Sequence, residues 1–516
     1  MEETSSLQNP PTPSPRPLWP RLQALAPAAL IALGAGLRLE GYIRNPSLRL
    51  DECLLSLNIV SRSYAGLWRP LENGQGAPPL FLMVERLAVS LAGRSEYGLR
   101  ALPLVAGLLS LPLLWVLARR LVGKNAALLA LALFAVSYEP VRFSREVKQY
   151  SVDLAVTLLL YVGLAPVLGR PLRWYHVALL GAVGVIAVFA SHPAMFVLAG
   201  LALVYGLEAG RRREGRQLLA VGAVAAVWLA GVGVFYFLLG RQLHGSGRLA
   251  DYWGAAFLPL LPHSVSDLHW YLDTFFGFLS NPGGFQYEAI AALPFFAGCV
   301  SLGQRDRHAC WLLLTPLLLT LLASAARVYP FSDRLILFLL PALLIFIGEG
   351  AASFARHFGP RSAVTVFLVA LLLAPVYLRV PGMITEPEMV RDARPLLQYY
   401  AEHRRPGDVL YVYRYAWAAT TFYAPRFGLD PQGKDIVWGA ESSYTDEFAR
   451  VQELRKIAGR GRVWLLFSDE VPGWQGITDE KYLTRYLDTR APRLDQQRRE
   501  NAGLYLYDVT NLPPPP

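Results

Sequence analysis

Apolar segments long enough to suggest membrane helices recur along the first three quarters of the chain, separated by short polar loops. A helix needs about 20 mostly apolar residues to cross a bilayer. We predict about 11 spans: Leu22–Leu39, Leu99–Ala118, Ala126–Val141, Val152–Leu168, Trp174–Ala190, Ala194–Leu207, Leu218–Leu239, Ala289–Leu302, Ala309–Ala325, Leu335–Ile347 and Ala363–Leu378. This pattern predicts a polytopic α-helical membrane protein.

The segment Pro78–Gly93 decides the topology. It is apolar but short, and Glu85 and Arg86 interrupt it. We therefore predict a helix lying along the outer membrane interface rather than a span. With this choice the N-terminus is cytoplasmic and every cytoplasmic loop is basic, as the positive-inside rule requires. The loop residues concerned are Arg119, Arg120, Lys124, Arg170, Arg173, Arg211, Arg212, Arg213, Arg216, Arg305, Arg307, Arg356 and Arg361.

The two ends of the chain differ in composition from the span region. Residues 1–17 are rich in Pro and Ser and predict a disordered tail. Residues 18–380 form the multi-span module, with long outer loops at 40–98 and 240–288. From residue 381 to 516 the composition is that of a soluble domain, in which predicted strands alternate with helices. We expect an extracytoplasmic α/β domain there.

The predicted elements of this domain are helices over Met389–Glu402 and Asp446–Gly459 and strands over Asp408–Tyr413, Asp435–Gly439, Arg462–Ser468 and Gly503–Val509.

Composition agrees with a membrane protein. Of the 516 residues, 53% are hydrophobic and only 17% are charged, against about 25% charged in ordinary soluble domains. The net charge of +10 comes with basic residues in short loops, not with a basic stripe interleaved with aromatics. Nucleic acid is excluded as a partner, and membrane lipid is expected.

Ionisable residues gather at the predicted outer ends of spans. Asp51 and Glu52 stand in LRLDECLLS after the first span. Further polar residues of this face are Arg142, Arg145, Glu146, Lys148, Tyr150 and Asp153 of RFSREVKQYSVD, His192, and Tyr329, Asp333 and Arg334 of VYPFSDR. Such groups at a span end are costly unless they are paired or hydrated, so the cluster predicts a functional site.

The types of residue in this cluster suit one chemistry. A carboxylate can take a proton from a hydroxyl, while Arg and Lys can hold a phosphate leaving group. Transfer of a sugar from a lipid phosphate to a hydroxyl needs both, and a single displacement would invert the anomeric centre. Asp51, Glu52, Asp153 and Glu146 are the predicted catalytic residues; Arg145, Lys148, Tyr150, His192, Tyr329 and Arg334 are the predicted substrate-binding residues.

A metal has little support. The adjacent Asp51–Glu52 pair is not a D-x-D spacing, and no ligand cluster stands out in the sequence. No cofactor is predicted, and a divalent metal is an unsupported alternative.

The order of these motifs resembles membrane glycosyltransferases of the GT-C fold. The motifs are the acidic pair, the PPL segment at Pro78, an L-R-x-L-P span, S-R-E-x-x-x-Y and a late Y-P-x-x-x-R. Dolichyl-phosphate-mannose protein mannosyltransferases and bacterial 4-amino-arabinose lipid A transferases are similar. The resemblance implies a polyprenyl-phosphate sugar as donor and maps the first family carboxylate to Asp51 and the second to Asp153 or Glu146. The basic residue that often accompanies the PPL segment in lipid A transferases is replaced by Ala77–Pro78.

Three function classes follow. The first is an inverting glycosyltransferase in the cell (inner) membrane that acts on a hydroxyl of a lipid, glycan or protein. The second is a transporter or flippase of a lipid-linked sugar, but transporters place charges near the bilayer midplane and often show two similar halves. The third is an assembly protein, which leaves the clustered charges unexplained.

The aromatic loop Gly240–Glu288 is predicted to be an interfacial belt or a substrate-contacting loop. Its aromatic residues include Tyr252, Trp253, His263, His269, Trp270 and Tyr271.

Overall fold

Helices dominate the computed structural model, which describes residues 18–240, 253–260, 262, 264–385, 392–440, 451–469, 478–499 and 501–514. The helices up to the end of the span region are α1 (Leu18–Arg44), α2 (Leu50–Ser61), α3 (Pro79–Ala92), α4 (Glu96–Leu121), α5 (Lys124–Val136), α6 (Tyr138–Phe143), α7 (Tyr150–Leu159), α8 (Ala165–Leu168), α9 (Trp174–Ala190), α10 (Ala194–Arg211), α11 (Gly215–Phe235), α12 (Val265–Ser280), α13 (Glu288–Arg305), α14 (Arg307–Ala325), α15 (Leu340–Phe358), α16 (Ala363–Leu378) and α17 (Val380–Thr385).

Seven helical stretches of the described chain are long and apolar enough to cross a membrane. They are Glu96–Leu121, Tyr150–Leu168, Ala194–Arg211, Gly215–Leu238, Arg307–Ala325, Asp333–Phe358 and Ala363–Thr385. The predicted class, a polytopic helical membrane protein with a C-terminal α/β domain, is confirmed. The count of about 11 spans and the sidedness of the loops stay predictions. Helix α3 covers the segment predicted to lie on the outer interface and is not among the seven.

The predicted span Ala126–Val141 is wrong in one respect, because it is two helices. Helix α5 ends at Val136, and the short α6 begins after Ser137. Pro140 explains the break, since a proline has no N–H and its ring clashes with the carbonyl four residues earlier, which here is that of Val136. The break turns the chain before Arg142, the first cation of the predicted cluster.

The loop predicted over residues 240–288 contains a helix. Helix α12 begins after Ser264, whose hydroxyl accepts from the Asp267 N–H while the Asp267 carboxylate accepts from the Ser264 N–H. This reciprocal capping is a helix-start signal readable in the sequence. Trp253, Trp270 and Tyr271 of the predicted aromatic loop are described, whereas Tyr252 and His263 lie outside the described residues.

The C-terminal domain is a five-stranded sheet with helices α18 (Ala393–His403), α19 (Trp417–Tyr423) and α20 (Asp479–Asp488). Its strands are β1 (Val409–Val412), β2 (Ile436–Trp438), β3 (Arg462–Ser468), β4 (Arg493–Arg499) and β5 (Ala502–Asp508), in the order β2-β1-β3-β5-β4. Strands β1, β2 and β3 are parallel, and β5 and β4 add antiparallel pairs.

Four of these strands are predicted from the sequence, and β4 is not. The missed strand, RLDQQRR, is exposed along most of its length and lies at the edge of the sheet, so it lacks the apolar alternation that marks a strand. The predicted helix Asp446–Gly459 falls partly outside the described residues; its described part includes a short 3₁₀ turn, Glu453–Lys456.

The C-terminal domain shares a hydrophobic core with the segment between α1 and α4. One buried cluster contains Leu48, Leu55 and Leu99 together with Leu410 and Phe467 of the sheet. Helix α2 packs against α19 in this cluster. The apolar contacts therefore hold α2, which carries the acidic pair, between the membrane helices and the sheet.

Candidate active site

Helix α2 is fixed at its start by a buried ion pair. The side chains of Glu52 and Arg100 are 1% and 2% exposed, and their charged atoms approach to 3.1 Å. Arg100 donates from Nε and Nη2 to both carboxylate oxygens of Glu52. The backbone N–H groups of Val147 and Arg49 donate to the same carboxylate, at 2.9 and 3.1 Å. A single side chain thus ties α2 to α4 and to the turn before α7.

The C-terminal domain also forms hydrogen bonds to the start of α2. The Leu50 N–H donates to the Asp469 carboxylate at 3.2 Å, and the Leu48 N–H donates to the Tyr423 hydroxyl at 2.8 Å. The first N–H groups of a helix have no partner within the helix, and carboxylates satisfy them well. Asp469 follows strand β3 directly, so the carboxyl end of the sheet positions the helix.

Asp51 faces two cations. Its Oδ2 lies 3.6 Å from Lys148 Nζ and 3.4 Å from Arg334 Nη1. Lys148 is buried and also donates to the Gln75 side chain at 3.0 Å. The guanidinium of Arg334 lies over the rings of Tyr150 and Trp253, at 5.7 and 5.8 Å. Three predicted residues, separated by nearly 300 positions in the sequence, therefore meet in one place.

A cavity of about 320 Å³, which we call the aspartate cavity, opens at these residues. It is lined by Asp51, Gly74, Gln75, Gly76, Lys148, Gln149, Tyr150, His192, Trp253, Phe257, Arg327, Val328, Tyr329, Pro330, Arg334 and Leu335. Aromatic walls with a few convergent polar groups are typical of a small-molecule site.

The surroundings of Asp51 keep it ionised. Burial opposes ionisation, but nearby cations, with Lys148 the strongest, outweigh burial and hold the pKa of Asp51 below the ordinary value. The other contributing cations are Arg334, Arg49 and Arg142. Burial lowers the pKa of Lys148, and Asp51 works against that shift. The pair carries opposite charges that a polar substrate could separate.

His192 and Asp153 take other positions. His192 lines the aspartate cavity, and burial lowers its pKa to about 4, so it is neutral near pH 7. Asp153 is buried near the hydroxyl of Ser191 and does not line the cavity. One of its carboxylate oxygens has no hydrogen-bond partner among the residues that the structure describes.

Glu52, Glu146 and Arg145 face a different space. They line a second cavity, also of about 320 Å³, which we call the arginine cavity. Glu146 accepts from Arg142 at 2.7 Å and from Arg49 at 3.1 Å. Of the two alternatives for the second carboxylate, Glu146 is held in an ion-pair network. The charge of Asp153 acts on Tyr150 and Tyr329 of the aspartate cavity, and that of Glu146 also acts on Tyr150.

Several residues of the site are not predicted from the sequence. Gln75 reaches Lys148 from the NGQG turn, and Arg100 holds Glu52 from inside a predicted span. An arginine at the start of a span is itself a signal, because a charge there requires a partner. Trp253, predicted to belong to an aromatic belt or to contact substrate, lies beside the guanidinium of Arg334.

The described residues contain no group of three or more His, Cys, Asp or Glu side chains that could hold a metal ion.

Comparison with known proteins agrees with this architecture. Residues 76–237 match the family model of dolichyl-phosphate-mannose-protein mannosyltransferases. The structure is similar to that of ArnT from Cupriavidus metallidurans bound to undecaprenyl phosphate, with a TM-score of 0.54 and 13% identity over 95% of this chain and 98% of that one. The chain has the GT-C fold. The apo form of ArnT gives a TM-score of 0.52 and 14% identity over 96% and 98% of the two chains.

Other comparisons add little. An oligosaccharyltransferase of Archaeoglobus fulgidus, tethered to an acceptor peptide, matches with a TM-score of 0.44 and 13% identity over 78% of this chain and 63% of that one. A likeness of that strength carries no functional argument. A sequence search among curated proteins finds no match. Within the GT-C fold, the family match includes Lys148, Asp153 and His192 but begins after Asp51.

The burial of the Glu52–Arg100 pair predicts that removing one partner destabilises the fold more than removing both. Glu52→Leu leaves a buried arginine without its carboxylate, and such a loss costs about 3–5 kcal/mol. The double variant Glu52→Leu with Arg100→Leu removes both charges, so it should recover part of the loss. Thermal unfolding of the purified protein in detergent measures both. Glu72, whose side chain is 76% exposed in its pair with Arg62, is the control; Glu72→Leu should cost less than about 1 kcal/mol. Equal unfolding temperatures for Glu52→Leu and Glu72→Leu would contradict the structural role of the buried pair.

Proposed function

We propose that this protein is a membrane glycosyltransferase that moves a sugar from a polyprenyl-phosphate to a hydroxyl of an acceptor. The family match and the GT-C fold support the coarse activity, transfer of a lipid-linked sugar. The observation that carries the proposal is the contact of Asp51 with Lys148 and Arg334 in an aromatic-lined cavity. ArnT, which shares the fold, is described as bound to undecaprenyl phosphate.

In this proposal the cations hold the phosphate of the sugar donor. Lys148 and Arg334 supply N–H groups that form charge-assisted bonds to phosphate oxygens. Binding of the phosphate draws them away from Asp51. A carboxylate that loses two cations becomes a stronger base. The sugar donor thus prepares the base that its own transfer requires.

The chemical step is one displacement. Asp51 takes the proton of the acceptor hydroxyl, and the acceptor oxygen attacks the anomeric carbon. The bond from the anomeric carbon to the phosphate oxygen breaks, and its electron pair leaves with the polyprenyl phosphate. Lys148 and Arg334 stabilise the charge that develops on this leaving group. The product has the inverted anomeric configuration.

The other cavity residues orient substrate. Tyr150 and Trp253 present ring faces beside Arg334, and neutral His192 can accept or donate one hydrogen bond. Tyr329 is held by its hydroxyl, which donates to the Leu335 carbonyl at 2.8 Å. We propose that the site faces the extracytoplasmic side, on the basis of the basic loops at the opposite helix ends. Either a hexose or a pentose fits this scheme.

Transfer assays with Asp51→Asn test the proposal. The amide keeps the shape of the side chain but cannot take a proton, so transfer from the accepted polyprenyl-phosphate sugar should fall by about a hundredfold or more. Labelled sugar is followed from a panel of polyprenyl-phosphate sugars into membrane extract. Asp430→Asn changes an exposed carboxylate of the C-terminal domain and is the matched control, with transfer unchanged.

Two outcomes contradict the proposal in different ways. Wild-type protein that transfers no sugar from any polyprenyl phosphate, but moves such lipids across a vesicle membrane, would make it a flippase. Full transfer by Asp51→Asn would remove Asp51 as the base and leave the fold untouched.

The electrostatics of Asp51 predict a pH effect. Because cations lower the pKa of Asp51 in the free enzyme, wild-type kcat/KM should persist as pH falls to the ordinary aspartate pKa, about 3.9. Lys148→Gln removes the strongest of these cations, so the pKa of Asp51 rises and the acid limb of kcat/KM moves to higher pH. The pH profile of transfer measures this shift. Lys434→Gln, in the C-terminal domain, is the control and should leave the acid limb of kcat/KM at the wild-type pH. If Lys148→Gln also leaves this limb at the wild-type pH, Asp51 is not the group whose ionisation the limb reports.

A further inference from the structure

The arginine cavity has a lining unlike that of the aspartate cavity. Its wall residues are Gly41, Arg44, Asn45, Pro46, Ser47, Arg49, Glu52, Arg100, Tyr138, Arg142, Arg145, Glu146, Asp392 and Arg394. Six of them are arginines and three are carboxylates. The aspartate cavity, by contrast, has several aromatic residues in its wall, and Lys148, Arg327 and Arg334 are its cations.

The carboxylates of the wall do not balance its arginines. Arg49 and Arg142 share a single oxygen of Glu146, at 3.1 and 2.7 Å. Asp392 accepts from the hydroxyl of Ser47. Three arginines of the wall also pair with carboxylates that do not line the cavity: Arg44 with Glu40, Arg142 with Glu139, and Arg394 with Glu96. The surface of the cavity therefore carries more guanidinium groups than carboxylates, and Arg145 is the wall arginine without an ion pair among the described residues.

Arg145 differs from the other arginines of the wall in its lack of a direct ion pair among the described residues. In the described part of the chain its guanidinium forms no ion pair and no hydrogen bond, although the side chain is half-buried and the charges of Glu146 and Glu40 act on it from a distance. It lies against Gly41, where a Cβ would come within 2.6 Å of Arg145 Cδ and 2.7 Å of Nη1. Burial of an unpaired charge is costly, so a group placed in this way is suited to an anionic ligand.

Phosphate is the anion that such a wall fits best. Each guanidinium offers a planar fork of N–H donors that matches two phosphate oxygens, and several arginines can share the remaining oxygens. A volume of about 320 Å³ accommodates a phosphate together with part of the group it esterifies. We propose that the arginine cavity is a second anion site, which binds the phosphate group of a phosphate ester.

The two cavities have neighbouring walls, because Glu52 and Glu146 line this site while Asp51 and Lys148 line the aspartate cavity. A phosphate there would compete with Glu146 for Arg49 and Arg142. These two arginines also act on Asp51. Occupancy of one cavity therefore changes the charge around the carboxylate in the other. The inference needs only the binding site and does not depend on the proposed sugar transfer.

Binding of two probes to the full chain in a neutral detergent tests the site. sn-Glycerol 3-phosphate represents a soluble phosphate ester, and dioctanoyl phosphatidic acid represents a lipid headgroup. Titrations give a Kd for each. Tighter binding of the lipid identifies a headgroup as the source, and similar Kd values identify the phosphate alone; both support the site.

Variants locate the bound probe. Arg145→Gln should raise Kd by about tenfold or more, because a charge-assisted contact is lost. Gly41→Ala displaces the same guanidinium without a change of charge and should also raise Kd, so the test survives if one variant fails to fold. Arg69→Gln removes an exposed arginine outside both cavities and should leave Kd unchanged.

The proposal is overturned by either of two results. One is the absence of measurable binding of both probes by the wild type. The other is binding that weakens in Arg334→Gln but not in Arg145→Gln or Gly41→Ala, since that pattern places the phosphate in the aspartate cavity.

Discussion

The buried pair of Glu52 and Arg100 is the contact on which the site depends. Taking two charges out of water is costly, and the cost is offset only when geometry and extra hydrogen bonds are good. Here Arg100 donates three bonds, and the N–H groups of Val147 and Arg49 donate two more. Because successive residues of a helix point about 100° apart, fixing Glu52 inward turns Asp51 toward Lys148. Of the two adjacent acidic residues, Glu52 therefore anchors α2, and Asp51 faces the cations of the aspartate cavity.

Electrostatic competition links the parts of the site. Nearby cations keep Asp51 ionised. A phosphate would bind these cations more strongly than Asp51 does, because it offers several oxygens. Glu146 has the corresponding place in the arginine cavity, where it shares Arg49 and Arg142. In the proposed scheme a substrate phosphate would replace a carboxylate as the partner of these cations. Buried arginines and lysines can then be kept charged without a ligand, and the ligand exchanges one anion for another.

Periodicity predicted the parts of this protein that depend on local sequence. The apolar segments gave most of the membrane helices, and RVWLLFS gave strand β3 with its bounds. Two local signals do not enter the predicted helix bounds. Pro140 marks the break before α6, and Ser264 marks the start of α12. The meeting of Asp51, Lys148 and Arg334 was expected from topology alone, because all three were placed at one membrane face. The different roles of Glu52 and Asp51 cannot be predicted from the sequence, because the role of Glu52 depends on a partner 48 residues away.

The most direct test of the account is an experimental structure of the protein with undecaprenyl phosphate bound. The account predicts the phosphate within hydrogen-bond distance of Lys148 Nζ and the Arg334 guanidinium, with Asp51 no longer in contact with either. The matched measurement is the same structure of Lys148→Gln, in which the phosphate should lose occupancy. A phosphate held by other residues, with the Asp51 contacts to Lys148 and Arg334 intact, would contradict the central claim.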